Sequence, residues 1–426
     1  MNSDNSLKVL ISCFACGPNW GSEVGMGWNW VKHMSNYCRL IVITEKGFEN
    51  DINIALLSFE SKYKPHFHFI DIGDEGREHF WKQGSYSFYK FYKVWQKKSV
   101  LVAQEIITKE RIDIIHQLNL IGFREPGYLW LLSSKKPFVW GPVGGFNQIP
   151  FRYIISLDLK NMIFYFGKNI FHYFQVYLHI RVKRAFKAAH LVFADSSNTK
   201  RIIERVYRKE VVLMNETGAS LKCSISKSRT FMENGVLRLI WVGKIQGLKA
   251  LPIALKVVRN LINHHKITLT IVGDGPDEYQ MKALATKMGL DTCVYFLGKV
   301  PNNEVNELMQ NHDLFFFTSL KEGTPHVILE SLSSGLPVVC HDACGHGDVI
   351  NDSCGIKIPM ISYNKSIKLF SNAIVHIYNN PSLLETYRTG CLNRINEISW
   401  EIKSKEMYKY YIETYNKYSV NEQHSQ

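Results

Sequence analysis

Residues Ser319–Cys340 read SLKEGTPHVILESLSSGLPVVC. The apolar run DLFFFTSL leads into this stretch as a strand, KEGTP makes a turn, and HVILESLSSG carries helical periodicity, with Pro325 suited to the first helical turn. A Gly-Leu-Pro turn then enters a second apolar strand, so the unit is strand, helix, strand. Glu322 falls just before the helix and Glu330 about two turns inside it, so that two carboxylates bracket one elongated polar ligand. Free amides within the segment Gly323, Thr324, Pro325, His326 and Val327 are suited to a phosphate or a sugar hydroxyl, and the helix dipole adds up to about 2 kcal/mol there. The alternative reading of the two glutamates is a solvated helix start.

The same alternation extends in both directions. KVLISCFA, LIVIT, HFHFIDI, DIIHQL, PFVWGPV and HLVFADS in the first half, and LRLIWVG, ITLTIVGDG, VYFLG, LFFFTS and PVVC in the second, are short, β-rich and nearly continuously apolar. Strands of that kind are buried on both faces, as in parallel sheets. The fold expected is therefore α/β, with two Rossmann-like doubly wound domains and a ligand cleft between them. The domain limits are predicted at 1–214, a Ser/Asn/Lys/Gly-rich linker at 215–235, a second domain at 236–395, and an aromatic helix at 396–426 that returns to the first domain.

Composition narrows the classes. The 426 residues exceed what one hydrophobic core serves, and 46% hydrophobic residues make the chain globular. MNSDNSLKVL has no basic and apolar leader pattern, so the expected location is cytoplasmic. Nine cysteines, an odd number spread along the chain, read as reduced thiols. Cys13 and Cys16 fall on a buried strand, and CHDACGH (Cys340, His341, Cys344, His346) lacks a second ligand pair at zinc spacing. The net charge of +13 suits an anionic partner or simply a lysine-rich surface. Nucleic acid is disfavoured, because there is no P-loop, RNA-binding signature or continuous basic run.

Several motifs together now resemble a family. E-x7-E at the strand-helix junction, LIWVGKIQGLKALPIAL, IVGDGPDEYQMKALATKMGL and VYFLGKVPNNEV occur in the order found in retaining GT-B glycosyltransferases of family 4, and cover nearly all of the second domain. What the resemblance implies is a nucleotide-diphosphate sugar as co-substrate. Glu330 would accept hydrogen bonds from the ribose hydroxyls, Glu322 would hold the donor sugar near the reacting carbon, and Lys244 and Lys249 would bind the diphosphate. Gly273 and Val300 would line the same donor pocket. Lys244 stands where many members have arginine, which leaves a point charge in place of a bidentate grip. Independently of any resemblance, breaking a sugar-diphosphate bond builds negative charge on the leaving oxygens, which needs preorganised positive groups. With no D-x-D motif, no metal and no cofactor are expected.

In the first domain, ACGPNWGSEVGMGWNW crowds glycines at a strand-to-helix junction, where backbone can approach a phosphate closely. The resemblance makes Gly21 the donor contact, and Glu23 and Trp28 acceptor-facing candidates beside capping or core roles. His116 follows the strand RIDIIHQLN, at the end of a strand where open α/β sheets bind ligands, and the resemblance implies a donor-sugar contact. Arg124, Gly144 and Gly145, in GFREPG and GPVGG, resemble a subgroup active in polysaccharide assembly and would shape an acceptor site or serve as turn chemistry. The implied acceptor is a lipid-linked glycan, used in bacterial surface polysaccharide synthesis with peripheral contact at the inner face of the cytoplasmic membrane. From Lys160 to Lys187, Lys168, His172, Gln175, His179, Lys183 and Lys187 recur at helical spacing as one polar stripe. Aromatic residues cover the other faces, so the segment reads as an interfacial helix on an anionic membrane or as a packed helix with a wet stripe.

Three rivals stand beside this reading. A dinucleotide oxidoreductase is disfavoured because G-x-G-x-x-G fails at Glu278. A nucleotide-sugar epimerase on the same architecture and a non-catalytic basic membrane binder remain.

Overall fold

The computed structural model describes residues 6–73, 75, 86–156, 159–220 and 230–425. The chain divides into two units, each built on one parallel sheet. The first unit comprises Met1–Phe146, Phe174–Thr217 and Trp400–Gln426. Its strands are β1 (Lys8–Cys13), β2 (Arg39–Glu45), β3 (His66–Ile70), β4 (Ile114–Asn119), β5 (Phe138–Val143), β6 (Leu191–Ala194) and β7 (Val212–Leu213). They lie in the order β3-β2-β1-β4-β5-β6-β7. The second unit comprises Asn147–Tyr173 and Gly218–Ser399. Its strands are β8 (Leu237–Val242), β9 (Ile267–Val272), β10 (Val294–Gly298), β11 (Leu314–Phe317), β12 (Val338–His341) and β13 (Gly355–Ile358), in the order β10-β9-β8-β11-β12-β13. In both sheets the order reverses at one interior strand, β1 or β8, which is the doubly wound pattern.

The apolar runs form these strands because helices cover both faces of each sheet. In β4, β5, β11 and β12 every residue is buried. The helices used below are α1 (Ser22–Met34), α2 (Leu159–Leu178), α3 (Leu251–Leu261), α4 (His326–Ser333) and α5 (Trp400–Ser425). Helix α5 belongs to the first unit: Trp400 meets Trp30 edge to face at 5.1 Å, and the Lys403 ammonium donates to the carbonyls of Asn215 and Thr217, both at 2.7 Å.

Two features differ from the sequence reading. Asn147–Tyr173 is not part of the first unit: Ile149, Tyr153 and Ile154 enter the core of the second, where the Tyr153 hydroxyl lies 2.5 Å from Ser366 Oγ. Nor does the expected polar stripe run along one helix to Lys187. Helix α2 ends at Leu178, and His179 caps a separate helix, Ile180–Ala188, by accepting the Val182 amide. On α2 itself His172 and Asn169 are buried, while Ile163, Phe164, Phe166, Ile170 and Phe171 are exposed and Met162 and Tyr165 pack against the second core. No helix among the described residues is long and apolar enough to cross a membrane. Cys13, Cys16, Cys340 and Cys344 are buried and form no disulfide; Cys13 and Cys340 lie on core strands, Cys16 follows β1, and Cys344 begins a short helix.

Candidate functional site

In the second unit two loops leave adjacent strands and are tied together. After β8 the chain passes through Lys244, which is exposed, into a short turn at Gly247–Lys249 that leads to α3. After β11 it passes through Thr318, Ser319 and Glu322 to α4. Thr318 Oγ1 donates to the Lys249 carbonyl at 2.8 Å and accepts from Trp241 Nε1 at 3.0 Å, and the Leu320 amide donates to the Leu248 carbonyl at 2.9 Å. These bonds fix the backbone of both loops, and the Lys249 ammonium pairs directly with the Glu322 carboxylate. Glu322 Oε1 also accepts from Ser319 Oγ at 2.7 Å, while Asn147 Nδ2 donates to the Glu322 carbonyl at 3.4 Å. The side chains of Lys249 and Glu322 keep 17% and 18% of their exposure, enough for a ligand to reach both.

Helix α4 begins at His326, with extended Pro325 as its cap and no side chain closing its N-terminus. Pro325 brings no amide of its own, and the Ile328 amide donates to the Pro325 carbonyl at 3.0 Å. Glu330 is the fifth helical residue, a little over one turn inside and not two. Its carboxyl is half-buried and burial raises its pKa. Gly273 has φ +127°, and a Cβ there would stand 2.1 Å from the Gly243 carbonyl oxygen, so the loops after β8 and β9 close on each other only with glycine at this position. Val300 follows β10 and packs half-buried against the apolar cluster that includes Phe315 and Ile328. The sequence reading missed Ser319, Thr318 and Asn147. Ser319 opens the quoted stretch and Thr318 directly precedes it, three and four residues before Glu322, whereas nothing in the sequence connects Asn147 to it. His346, weighed above only as a metal ligand, is fully buried at the edge of the Phe317 ring, 5.1 Å away, and has no hydrogen-bond partner for either ring nitrogen. Burial first, then the neighbouring His341 and Lys249, push its pKa down to about 3.

The first unit gives a different picture. His116 is the third residue of β4, inside the strand and fully buried. Its Nε2 lies 2.6 Å from the Gly141 carbonyl, which can only accept, so Nε2 carries the proton and Nδ1 accepts from the Tyr411 hydroxyl at 2.5 Å. Burial lowers its pKa to about 4. Both nitrogens are committed to the protein, and the expected donor-sugar contact gives way to a structural role. Trp28 is likewise core, edge to face with Phe59 at 5.7 Å. The glycine loop after β1 is pinned to the end of β4: Asn119 Nδ2 donates to the Ala15 carbonyl at 2.7 Å, and Glu23 Oε1 accepts the Ile121 amide at 2.6 Å. Desolvation raises the Glu23 pKa to about 7 against the opposing pull of that amide. Gly21 caps α1 in open space, free of any contact that would require glycine. Arg124 donates through Nε to Gln175 Oε1 at 2.7 Å, and burial lowers its pKa. Gly144 donates its amide to the Ile121 carbonyl at 2.7 Å, and a Cβ there would meet the Asp195 carboxylate at 2.1 Å. Gly145, at φ +84°, turns the chain 3.4 Å from the Arg124 guanidinium as measured from an added Cβ.

Two doubly wound parallel sheets, the second carrying its loop pair beside an open helix N-terminus, make this a GT-B fold. Solved structures agree: a glycosyltransferase from Rickettsia africae matches with TM-score 0.63 and 13% identity, covering 96% of this chain and 99% of that one. Anabaena HepE, solved in complex with UDP and glucose, matches with TM-score 0.58 and 15% identity, covering 95% and 98%. Residues 227–389 match the model of the family Glycosyl transferases group 1. Among similar sequences, Protein CapJ of Staphylococcus aureus is 35% identical over 23% of this chain and 26% of its own. The lipopolysaccharide glucosyltransferase WaaG of Escherichia coli is 31% identical over 28% of this chain and 32% of its own. The matched stretches thus span about a quarter to a third of these relatives' length.

Proposed function

We propose that the chain is a retaining hexosyltransferase. It moves a sugar from a nucleoside-diphosphate donor to a hydroxyl of a lipid-linked glycan at the inner face of a bacterial cytoplasmic membrane, for surface polysaccharide synthesis. The observation that carries this reading is the Lys249–Glu322 pair, held by two interlocked loops next to the uncapped start of α4. A cation, a carboxylate and the positive end of a helix dipole at one place match the three things a sugar diphosphate presents, namely charge, hydroxyls and phosphate oxygens. The named relatives and the UDP and glucose bound by HepE support the donor class.

In the proposed reaction the bond between the anomeric carbon and the diphosphate oxygen breaks with its electron pair passing to the diphosphate. Lys249, Lys244 and the α4 amides stabilise that charge, so no metal is required. The diphosphate takes Lys249 from Glu322, which frees the carboxylate to accept from sugar hydroxyls, while Glu330 accepts from the ribose. The acceptor oxygen bonds the anomeric carbon from the face the leaving group departs, and its proton passes to the departing phosphate. The test is an assay of nucleotide sugars with a lipid-linked acceptor in excess chelator, reading nucleoside-diphosphate release and the product's anomeric configuration. Release that depends on acceptor, with configuration kept, is expected. Inversion, activity restored only by a divalent cation, or turnover of donor alone to an epimer would overturn the respective part.

A further inference from the structure

A separate feature lies on α2 and the turn before it. Along the part of α2 that belongs to the second unit, Leu159, Ile163, Phe164, Phe166, Ile170 and Phe171 are all strongly exposed, Phe164 at 58% and Phe171 at 64%. At 100° per residue these positions, with Tyr173, occupy about half of the helix circumference. The opposite half holds the buried Asn169, His172 and Val176. Asn169 Nδ2 donates to the Ile149 carbonyl at 2.8 Å and its own carbonyl accepts from Gln148 Nε2 at 3.2 Å, so the polar side is fastened to the protein. Met162 and Tyr165 pack against the second core from this inner side, so the outward residues form a second apolar face that the fold does not use. Phe151 continues the outward face, its ring 5.4 Å from Phe166 and half exposed. An apolar surface of this extent on a soluble chain marks an interaction site.

Charge selects the occupant. From Phe151 to Tyr173 the sequence has three basic residues, Arg152, Lys160 and Lys168, against one acid, Asp158. Arg152 and Lys168 are exposed, and Lys168 Nζ stands 5.6 Å from the Phe164 ring centre at the edge of the apolar face. A second copy of the chain docked by two-fold symmetry would set these cations against their own images, whereas an anionic lipid surface neutralises them and takes up the rings. We propose that the Phe151–Tyr173 face is an in-plane membrane anchor, lying in the headgroup region of an anionic bilayer with its aromatic side down. This stands independently of the transferase reading.

The experiment is flotation of the full-length protein with vesicles of phosphatidylcholine alone or with about a third phosphatidylglycerol, for wild type, Phe164→Ser/Phe171→Ser and Lys168→Glu. Wild type should float with anionic vesicles. The double variant should lose about a hundredfold in partition, and Lys168→Glu roughly fivefold or more, with a smaller salt dependence. Unchanged melting temperatures would confirm that the variants are folded. Wild type that stays unbound, a folded double variant that floats equally well, or a wild-type dimer that the double variant converts to monomer in the absence of lipid would overturn the proposal.

Discussion

The two units use the same sheet architecture but hold their polar groups differently. In the second, Lys249 and Glu322 stand on loops beyond the strand ends, paired with each other and still reachable. In the first, His116 stands within a strand, sealed from solvent, with both nitrogens spent on Gly141 and Tyr411. A group beyond the strand end can exchange a protein partner for a ligand, whereas one inside the strand can only support the fold. Variants of the loop groups should therefore change rate at constant stability, and variants of the sealed groups should change stability at constant rate.

The largest effect expected concerns the sealed histidines as a set, His116 in the first unit and His341 and His346 in the second, set against the reachable loop groups. His116 and His341 have pKa values lowered to about 4 and His346 to about 3, all by burial. Because the unfolded chain protonates near 6.5, their contribution is present above that pH and is lost as pH falls toward 4. The loss amounts to about 2 kcal/mol per histidine at pH 5. Denaturant midpoints from pH 7.5 to 5 should fall accordingly, and a flat profile would break the comparison from the side of the sealed groups. Next, Lys249→Ala should lower turnover roughly 100- to 1,000-fold without changing the melting temperature. A folded variant with near wild-type turnover would remove Lys249 from the reaction. His116→Leu leaves the Gly141 carbonyl unpaired and the Tyr411 hydroxyl with only the weak Met407 sulfur acceptor at 3.4 Å, so a stability loss of about 2–4 kcal/mol is expected with little change in turnover per folded molecule. A selective loss of turnover would return His116 to the site. Glu330→Gln should weaken nucleotide binding about tenfold, measured by calorimetry, since it removes charge-assisted acceptance. The smallest stability effect belongs to Gly21→Ala, within about 0.5 kcal/mol because the new methyl meets open space. Unchanged donor affinity in that variant would end the assignment of Gly21 to the donor.

Nine of the strands were legible because a buried parallel strand needs an unbroken apolar run, and the edge strands β3 and β10, each with one buried residue of five, were legible from their β-rich residues. The two that were not, β7 and β13, are a two-residue pair and the edge strand GIKI, too short and too polar for that signal. The positions of Glu322, Glu330 and Lys249 were readable from motif order, but their pairing was not, since it depends on a loop contact between residues far apart in sequence. For His116 the sequence carried the residue type and the strand but not its depth within the strand, which fixes its role. On α2 the spacing grouped Lys168, His172 and Gln175 as one polar stripe, but Lys168 is exposed and His172 buried, a difference in depth that the residue types do not carry.

Helix α5 has a consequence for the order of synthesis. The first unit's core includes Trp400, Met407 and Tyr411 from the last stretch of the chain. A ribosome that has released Thr217 still requires roughly ten to forty seconds to reach Tyr411 at ordinary elongation rates. During that interval the first sheet lacks a wall of its core and the hydroxyl that His116 Nδ1 accepts from. The nascent first unit must therefore wait, partly open, while the second is made, and a fragment ending at Thr217 should aggregate or be degraded where the full chain survives.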